Sequence, residues 1–225
     1  LMRAKISIVI PTLNSQKTLK KTFVSLFEGI EAGIIRELIV VDGGSTDKTK
    51  EIVVGCGGKF ISCKKSRGLQ ICTGVKLAQG DFIFILHSDS VLQADWSKKI
   101  SKFLNREVGY YCKLSFDSKH PLAYLTSNWA NARSRIFNLP YGDQGLLLAR
   151  QLLIENGNYS SIPIMEDMDL ALRLKGRLFG MPIAITTSSE KYQKEGWLRQ
   201  GRRNIFRQAR FILGADPTSL EDNYY

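Results

Sequence analysis

His87, Ser88 and Asp89 follow directly on the apolar run Phe82-Ile83-Phe84-Ile85-Leu86. An imidazole and a carboxylate two residues apart, just past a strand, can face one cation. Mixed oxygen and nitrogen ligands suit Mn²⁺ or Mg²⁺, with phosphate oxygens in the remaining positions. A capping Ser/Asp cluster beside a buried His reads the same way, and the two alternatives stand level. Glu166 and Asp167, with Asp169 close by, form a second cluster after Pro163-Ile164-Met165. The helix dipole alone favours carboxylates at a helix start. Carboxylates also take protons from hydroxyls, and crowding and desolvation raise their pKa toward the working pH. Asp42 heads a third group, Asp42-Gly43-Gly44-Ser45. Its carboxylate can accept hydrogen bonds from a base edge or a ribose, while Gly43 and Gly44 let backbone approach a ligand. Taken alone, an ordinary Asp-Gly turn is the better account of this motif.

Two further stretches carry polar groups. Gly142-Asp143-Gln144-Gly145 places an acid and an amide in a tight glycine loop able to present donors and acceptors to hydroxyl groups. A turn is the alternative. Tyr141 and Trp129 can stack on a sugar face, although aromatic side chains more often fill cores. Arg199, Arg202 and Arg203, with Lys191 and Lys194 upstream, can clamp a diphosphate or another anion. They can equally be a solvated helix face. Phe206, Phe211, Ile212 and Leu213 give the same helix an apolar side. Core packing is the expected use of that side, and contact with a membrane surface is the alternative.

The elements that position these groups show as hydrophobic periodicity. Ile6–Ile10 reads as a buried strand stopped by Pro11. Asn14 or Ser15 can cap a helix with Leu19, Phe23, Leu26 and Ile30 on its apolar face. A strand follows at Leu38–Val41, then a helix opened by Thr46 or Asp47, a strand at Lys59–Cys63, a helix at Gly68–Ala78 and a strand at Phe82–Leu86. Trp96, Ile100, Phe103 and Leu104 make the next helix face. This alternation predicts a parallel sheet covered by helices. In such sheets ligands bind at the carboxyl ends of strands, where the polar groups Pro11–Asn14, Asp42–Ser45, Lys65–Gly68 and His87–Ser90 gather. The later pattern is less regular. It predicts strands at Val108–Phe116, Gly145–Ala149 and Pro182–Thr187, and helices at Leu122–Arg135, Met165–Leu174 and Gly196–Leu213.

A chain of 225 residues, 44% hydrophobic, suits one sizeable α/β domain. We expect residues 1–225 to form it, with a ligand-binding half at about 1–106 and an acceptor half at about 107–225. The net charge of +11 attracts polyanions in general. No zinc-finger spacing, RNA-binding aromatic signature or homeodomain-like arm is present, so no nucleic-acid partner is expected. Cys56, Cys63, Cys72 and Cys112 form no CxxC pair, which points to reduced thiols and a cytoplasmic protein. No signal-peptide pattern and no apolar run of about 18–20 residues appears. A location peripheral to the cytoplasmic membrane face remains open. There is no Walker phosphate loop and no G-x-G-x-x-G after the first strand, which argues against an ATPase or a Rossmann dehydrogenase.

Taken in order, four segments resemble glycosyltransferase family 2. They are Ser7–Asn14, Glu37–Asp47, Gly80–Asp89 and Met165–Leu170. Arg67–Gln70, Leu86–Asp89, Tyr141–Gly145 and Leu213–Ala215 before a Tyr-ended tail look closest to the subgroup labelled radical-SAM/selenodomain-associated transferase 2. The resemblance implies a GT-A, Rossmann-like fold: a three-layer α/β/α sandwich with a mostly parallel central sheet. It implies inverting transfer of a sugar from a nucleotide-sugar donor, UDP-linked by family frequency, to an acceptor it does not specify. By the same resemblance, Pro11, Thr12, Asn14, Asp42, Gly43 and Ser88 hold the nucleoside, and Arg67 lies near ribose or phosphate. Asp89, with His87 beside it, binds metal, and Asp167 or Glu166 is the base. Gly142, Asp143 and Gln144 face acceptor or sugar. His87 stands where the family carries a first Asp, which favours Mn²⁺ over Mg²⁺. Glu190 reverses a charge where relatives carry paired Arg, so Arg199, Arg202 or Arg203 becomes the expected diphosphate clamp. A sugar nucleotidyltransferase and a catalytically weak binding module for anionic partners are the competing expectations. The former opens with a glycine-rich loop, where this chain has Pro11-Thr12-Leu13-Asn14.

Overall fold

The computed structural model describes residues 5–220. The first four residues and the Tyr-ended tail from 221 onward lie outside the described residues. In chain order, the elements of the first half are β1 (Ile6–Thr12), α1 (Leu19–Glu31), β2 (Ile35–Asp42), α2 (Thr49–Gly55), β3 (Lys59–Ser62), α3 (Arg67–Leu77), β4 (Phe82–Ile85), β5 (Val91–Leu92) and α4 (Trp96–Ile100). The second half contains β6 (Gly109–Phe116), α5 (Pro121–Phe137), β7 (Leu146–Ala149), α6 (Arg150–Glu155), α7 (Glu166–Arg173), β8 (Leu178–Thr187), α8 (Glu190–Glu195) and α9 (Trp197–Ile212).

The strands form one sheet in the order β3-β2-β1-β4-β7-β6-β8-β5. β1 and β4 are buried along their whole length. Strands covered on both faces must be continuous apolar runs, and these are. Pairing is parallel through β3, β2, β1 and β4. β7 then joins antiparallel to both β4 and β6. β8 runs parallel to β6, and the two-residue β5 closes the edge antiparallel to β8. Strand order reverses between β1 and β4, which opens a crevice at their carboxyl ends. The turns after Thr12 and after Ile85 both lie there.

Several local expectations are corrected. Neither Asn14 nor Ser15 caps α1 through its side chain. Thr18 takes that position without a side-chain bond, and Asn14 Oδ1 instead accepts from the Thr46 backbone N–H at 2.9 Å. Ile30 is 49% exposed, and Gly29 faces inward in its place. Trp96 fills the space there, since a Cβ on Gly29 would lie 2.6 Å from its ring. Asp47 stands ahead of α2 rather than opening it, accepting from Thr49 N–H at 3.0 Å. β8 starts at Leu178 and includes Pro182. The β6–β8 register shifts between Tyr111 and Lys113, where β8 advances from Gly180 to Ala184, and that irregularity tolerates a proline.

The largest departure is α9. Phe206, Ile212 and Leu213 were expected in the core and are 64%, 57% and 85% exposed. The inward stripe carries Trp197, Gln200 and Arg207 instead. No helix among the described residues is long and apolar enough to cross a membrane.

Candidate active site

A cavity of about 300 Å³ opens where the β4 end meets α7, α8 and α9. On its carboxylate side stand Asp89, Asp143 and Asp167, with His87 and Gly142 among them; Arg67, Lys191 and Arg207 bring positive charge to the same space.

Local sequence explains the placement of Asp167. Met165, in the left-handed region at φ 65°, turns the chain into α7. That conformation is uncommon for a non-glycine residue and is held here by its surroundings. α7 therefore begins with Glu166 and Asp167 pointing inward, 0% and 6% exposed. Arg67, the first residue of α3, reaches across. Its Nε is in tight contact with Glu166 Oε1, and its terminal nitrogen donates to Asp167 Oδ2 at 3.1 Å. The Gly142 N–H donates to the same Oδ2 at 3.0 Å. Burial pushes Glu166 up to about 8 against the pull of Arg67, and Asp167 adds to the rise. Glu166 Oε2 has no hydrogen-bond partner. Glu166 does not line the cavity, whereas Asp167 does. Asp169 belongs elsewhere: it accepts from Ser160 at 2.5 Å and from Arg173 at 2.7 Å. The expected cluster of three acids within four residues is thus divided, and the distant Asp143 joins Asp167 at the cavity.

Arg67 was expected near ribose or phosphate. It lines the cavity but is engaged by Glu166 and Asp167. The turn before it is docked on the chain segment leading into α7: Ser66 Oγ and Gly68 N–H both donate to Ile162 O at 3.2 Å.

In the Gly142–Gln144 turn the roles divide. Gln144 was assigned to acceptor or sugar contact, and the structure corrects this. It is fully buried, its Oε1 accepts from Ser134 Oγ at 2.5 Å, and its Nε2 donates to Cys112 O at 3.3 Å. It anchors the turn. Asp143 faces the cavity, with a buried Oδ1 lacking a hydrogen-bond partner. Burial raises its pKa, opposed by Arg133 and His87. Arg133 stacks 3.6 Å from the Tyr141 ring centroid, which fixes the other side of the turn. Trp129 is 53% exposed and lines a neighbouring groove rather than this cavity.

His87 and Asp89 both line the cavity. Burial, reinforced by Arg67, lowers the His87 pKa, so the imidazole is neutral at pH 7. Its Nε2 is buried without a hydrogen-bond partner. Asp89 Oδ2 accepts from Thr187 Oγ1 at 2.8 Å and Ser188 N–H at 3.1 Å. No group of three His, Cys, Asp or Glu side chains placed to hold a metal occurs among the described residues.

The expected nucleoside residues gather at the ends of β1 and β2, with Ser88 in the turn after β4, and none of them lines that cavity. Asp42 is saturated by its own turn. Its oxygens accept from Thr12 Oγ1 at 3.1 Å, Ser45 Oγ at 2.5 Å, and the N–H groups of Gly44 and Ser45 at 2.9 and 2.7 Å. Pro11 and Thr12 are buried, and Asn14 is exposed at the rim. Gly43 packs against Gln70, whose Nε2 donates to Thr12 O and Val41 O at 2.8 Å each. Ser88 Oγ accepts from Ser15 Oγ at 2.9 Å. These residues brace one another, and the motif's turn character is real.

Arg199 and Arg202, the expected clamp, are exposed and outside the cavity. Arg203 pairs with Glu195 at 2.6 Å. Lys191 and Arg207 take the inward positions, and Gln200, Asn204 and Gln208 accompany them. Sequence reasoning missed Arg207. Its only signal is the three-and-four spacing of Trp197, Gln200, Asn204 and Arg207, a polar stripe that an apolar search passes over.

Comparison with known proteins places this geometry in context. The sequence profile described as glycosyl transferase family 2 matches residues 7–145. An uncharacterized glycosyltransferase of Mycoplasma genitalium is 28% identical over 120 residues, which is 48% of this chain and 40% of that protein. The chain therefore spans less than half the length of that relative. Among solved structures, Staphylococcus aureus TarS 1–349 in complex with UDP superposes with a TM-score of 0.64 at 19% identity, covering 84% of this chain and 62% of that one. Glucosyl-3-phosphoglycerate synthase from Mycobacterium tuberculosis, in complex with Mn²⁺, UDP and phosphoglyceric acid, does so with a TM-score of 0.58 at 16% identity, covering 82% and 69%. At these identities the structures speak to the shared fold.

Proposed function

The chain belongs to glycosyl transferase family 2, and from that premise we propose that it moves a sugar from a nucleotide-sugar donor, a UDP-sugar first, to an acceptor hydroxyl with inversion. The observation that carries this reading is the two-signed cavity. Asp167 and Asp143 supply proton acceptors, and Arg67, Lys191 and Arg207 supply positive charge within the same 300 Å³. UDP in the S. aureus and M. tuberculosis structures supports the choice of donor.

In this reading the acceptor oxygen attacks the anomeric carbon as Asp167 takes its proton. The bond to the diphosphate oxygen breaks on the opposite face, and the nucleoside diphosphate departs with the electron pair. Arg67 and the Gly142 N–H fix the Asp167 carboxylate for this step. Glu166, buried behind it, positions Arg67. Lys191 and Arg207 face charge growing on the departing diphosphate, and such preorganised charge is a large share of catalysis in general. The first half, about residues 1–106, would hold the nucleotide, with Asn14 at its rim and Asp42 holding the glycine turn beneath. The half from about 107 onward would hold the acceptor, with Asp143 and Gly142 at the sugar.

A divalent cation fits His87 and Asp89. The buried, unpartnered Nε2 of a neutral imidazole offers a lone pair, and Asp89 offers carboxylate oxygen. Two side chains do not complete a site, so diphosphate oxygens would supply the rest. When bound, such an ion neutralises charge on the leaving diphosphate. The imidazole favours Mn²⁺ over Mg²⁺.

Calorimetric titration with UDP and GDP, with and without Mn²⁺, tests the reading. Metal-dependent binding of UDP is expected. If neither nucleotide binds under either condition, the transferase reading fails and a non-enzymatic anion-binding role takes its place.

A further inference from the structure

α9 is amphipathic in the reverse of the usual sense. Its inward side carries Gln200 and Arg207, while Leu198, Ile205 and Phe206 are 71%, 51% and 64% exposed. α5 lies alongside and adds Leu125, Trp129 and Ile136 at 60%, 53% and 71%. A groove of about 330 Å³ between the two helices, lined by Leu125, Trp129, Leu198 and Ile205, joins part of each stripe. Contiguous exposed apolar surface of this kind marks an interaction site.

The charge on the same surface selects the partner. Neither Pro121–Phe137 nor Trp197–Ile212 contains an Asp or Glu. The exposed ionic groups among the apolar ones are Arg135, Arg199, Arg202 and Arg210. A second copy of the chain docked on this face by a twofold axis would set guanidinium against guanidinium with no carboxylate from either helix between them. An anionic bilayer supplies both needs: phosphates for the arginines and an acyl boundary for Leu, Ile and Phe. Trp129 suits the interfacial depth. We propose that the outer face of α5 and α9 lies on the surface of an anionic phospholipid bilayer. The groove and the catalytic cavity share Phe116, Tyr141, Asp143 and Tyr192, so the cavity would open beside the lipid.

The test is co-sedimentation with vesicles of phosphatidylcholine alone and of phosphatidylcholine containing one-third phosphatidylglycerol. Binding to the anionic vesicles at least tenfold above neutral ones, weakened by salt, is expected. Arg210→Ala should lower partitioning about fivefold, the weight of one cation near such a surface. Phe206→Ser with Leu213→Ser should lower it further at unchanged melting temperature, since both side chains are exposed. Equal binding to both vesicle types, or none, overturns the proposal. So does light scattering that shows a dimer dissociated by Phe206→Glu, because a second copy would then cover the face. UDP affinity measured on the same variants separates failure of this surface from failure of the transfer reading.

Discussion

Asp167 and Glu166 are chain neighbours with different fates. Asp167 reaches the cavity, and Glu166 is sealed behind Arg67. Asp167→Asn keeps the shape and the two donors while removing the proposed proton acceptor. It should lower turnover by about 10²–10⁴-fold, the usual weight of a general base, with UDP affinity unchanged by calorimetry. Near-normal turnover would move the base to Asp143. Glu166 makes a different prediction. Its folded pKa is about 8 against an ordinary 4.5. An acid raised in this way stabilises the fold below the lower value and loses that contribution as pH rises through the upper one. Wild-type protein should therefore lose stability relative to Glu166→Gln between pH 4.5 and about 8, by at most about 1.4 kcal/mol per pH unit. Melting curves of the two proteins across that range check it; a constant gap would mean that Glu166 is ionised throughout.

At the scale of elements, two glycines separate support of the fold from support of the site. A Cβ on Gly68 would collide with the backbone carbonyls of Ser160 and Ile162, which cannot swing away. The nearest atoms to a Cβ on Gly142 would be side-chain ones, Asp167 Oδ2 and His87 Nε2. Gly142→Ala should cost about 1–3 kcal/mol as an overpacking change and lower transfer by at least tenfold, because Asp167 must move. Gly68→Ala should destabilise more, and thermal melts paired with activity assays distinguish the two. The same contrast marks what sequence could tell. β1, β4 and the buried end of β2 are legible because a strand buried on both faces leaves an unbroken apolar run. α7 is legible because its acids stand directly before an apolar helix face. α9 is not, because it turns polar groups inward and apolar groups out, so periodicity assigned its faces the wrong way round and hid Arg207. Gln144 was misread because a buried amide that ties a turn together has the same sequence signature as one facing a ligand. β5, with two residues, is too short to leave any pattern.

At the scale of the molecule, the cavity lies where the two halves of the sheet meet. Asp89 comes from the end of β4, while Asp167, Lys191 and Arg207 come from α7, α8 and α9. A ligand bridging these groups ties together parts far apart in the chain, and anything that binds only the folded state raises its stability. At a concentration one hundred times its Kd, such a ligand contributes about 2.7 kcal/mol. For a chain of this size each kcal/mol moves the melting point by about 2–4 °C. UDP with Mn²⁺ should therefore raise the melting temperature by about 5–11 °C, and a chelator should remove most of that rise. Asp89→Asn keeps an acceptor for Thr187 but gives up the charge a cation needs. It should melt close to wild type without ligand and lose the Mn²⁺-dependent part of the shift. A full shift retained by Asp89→Asn would place the cation elsewhere, and a shift indifferent to the chelator would leave Lys191 and Arg207 to hold the diphosphate unaided.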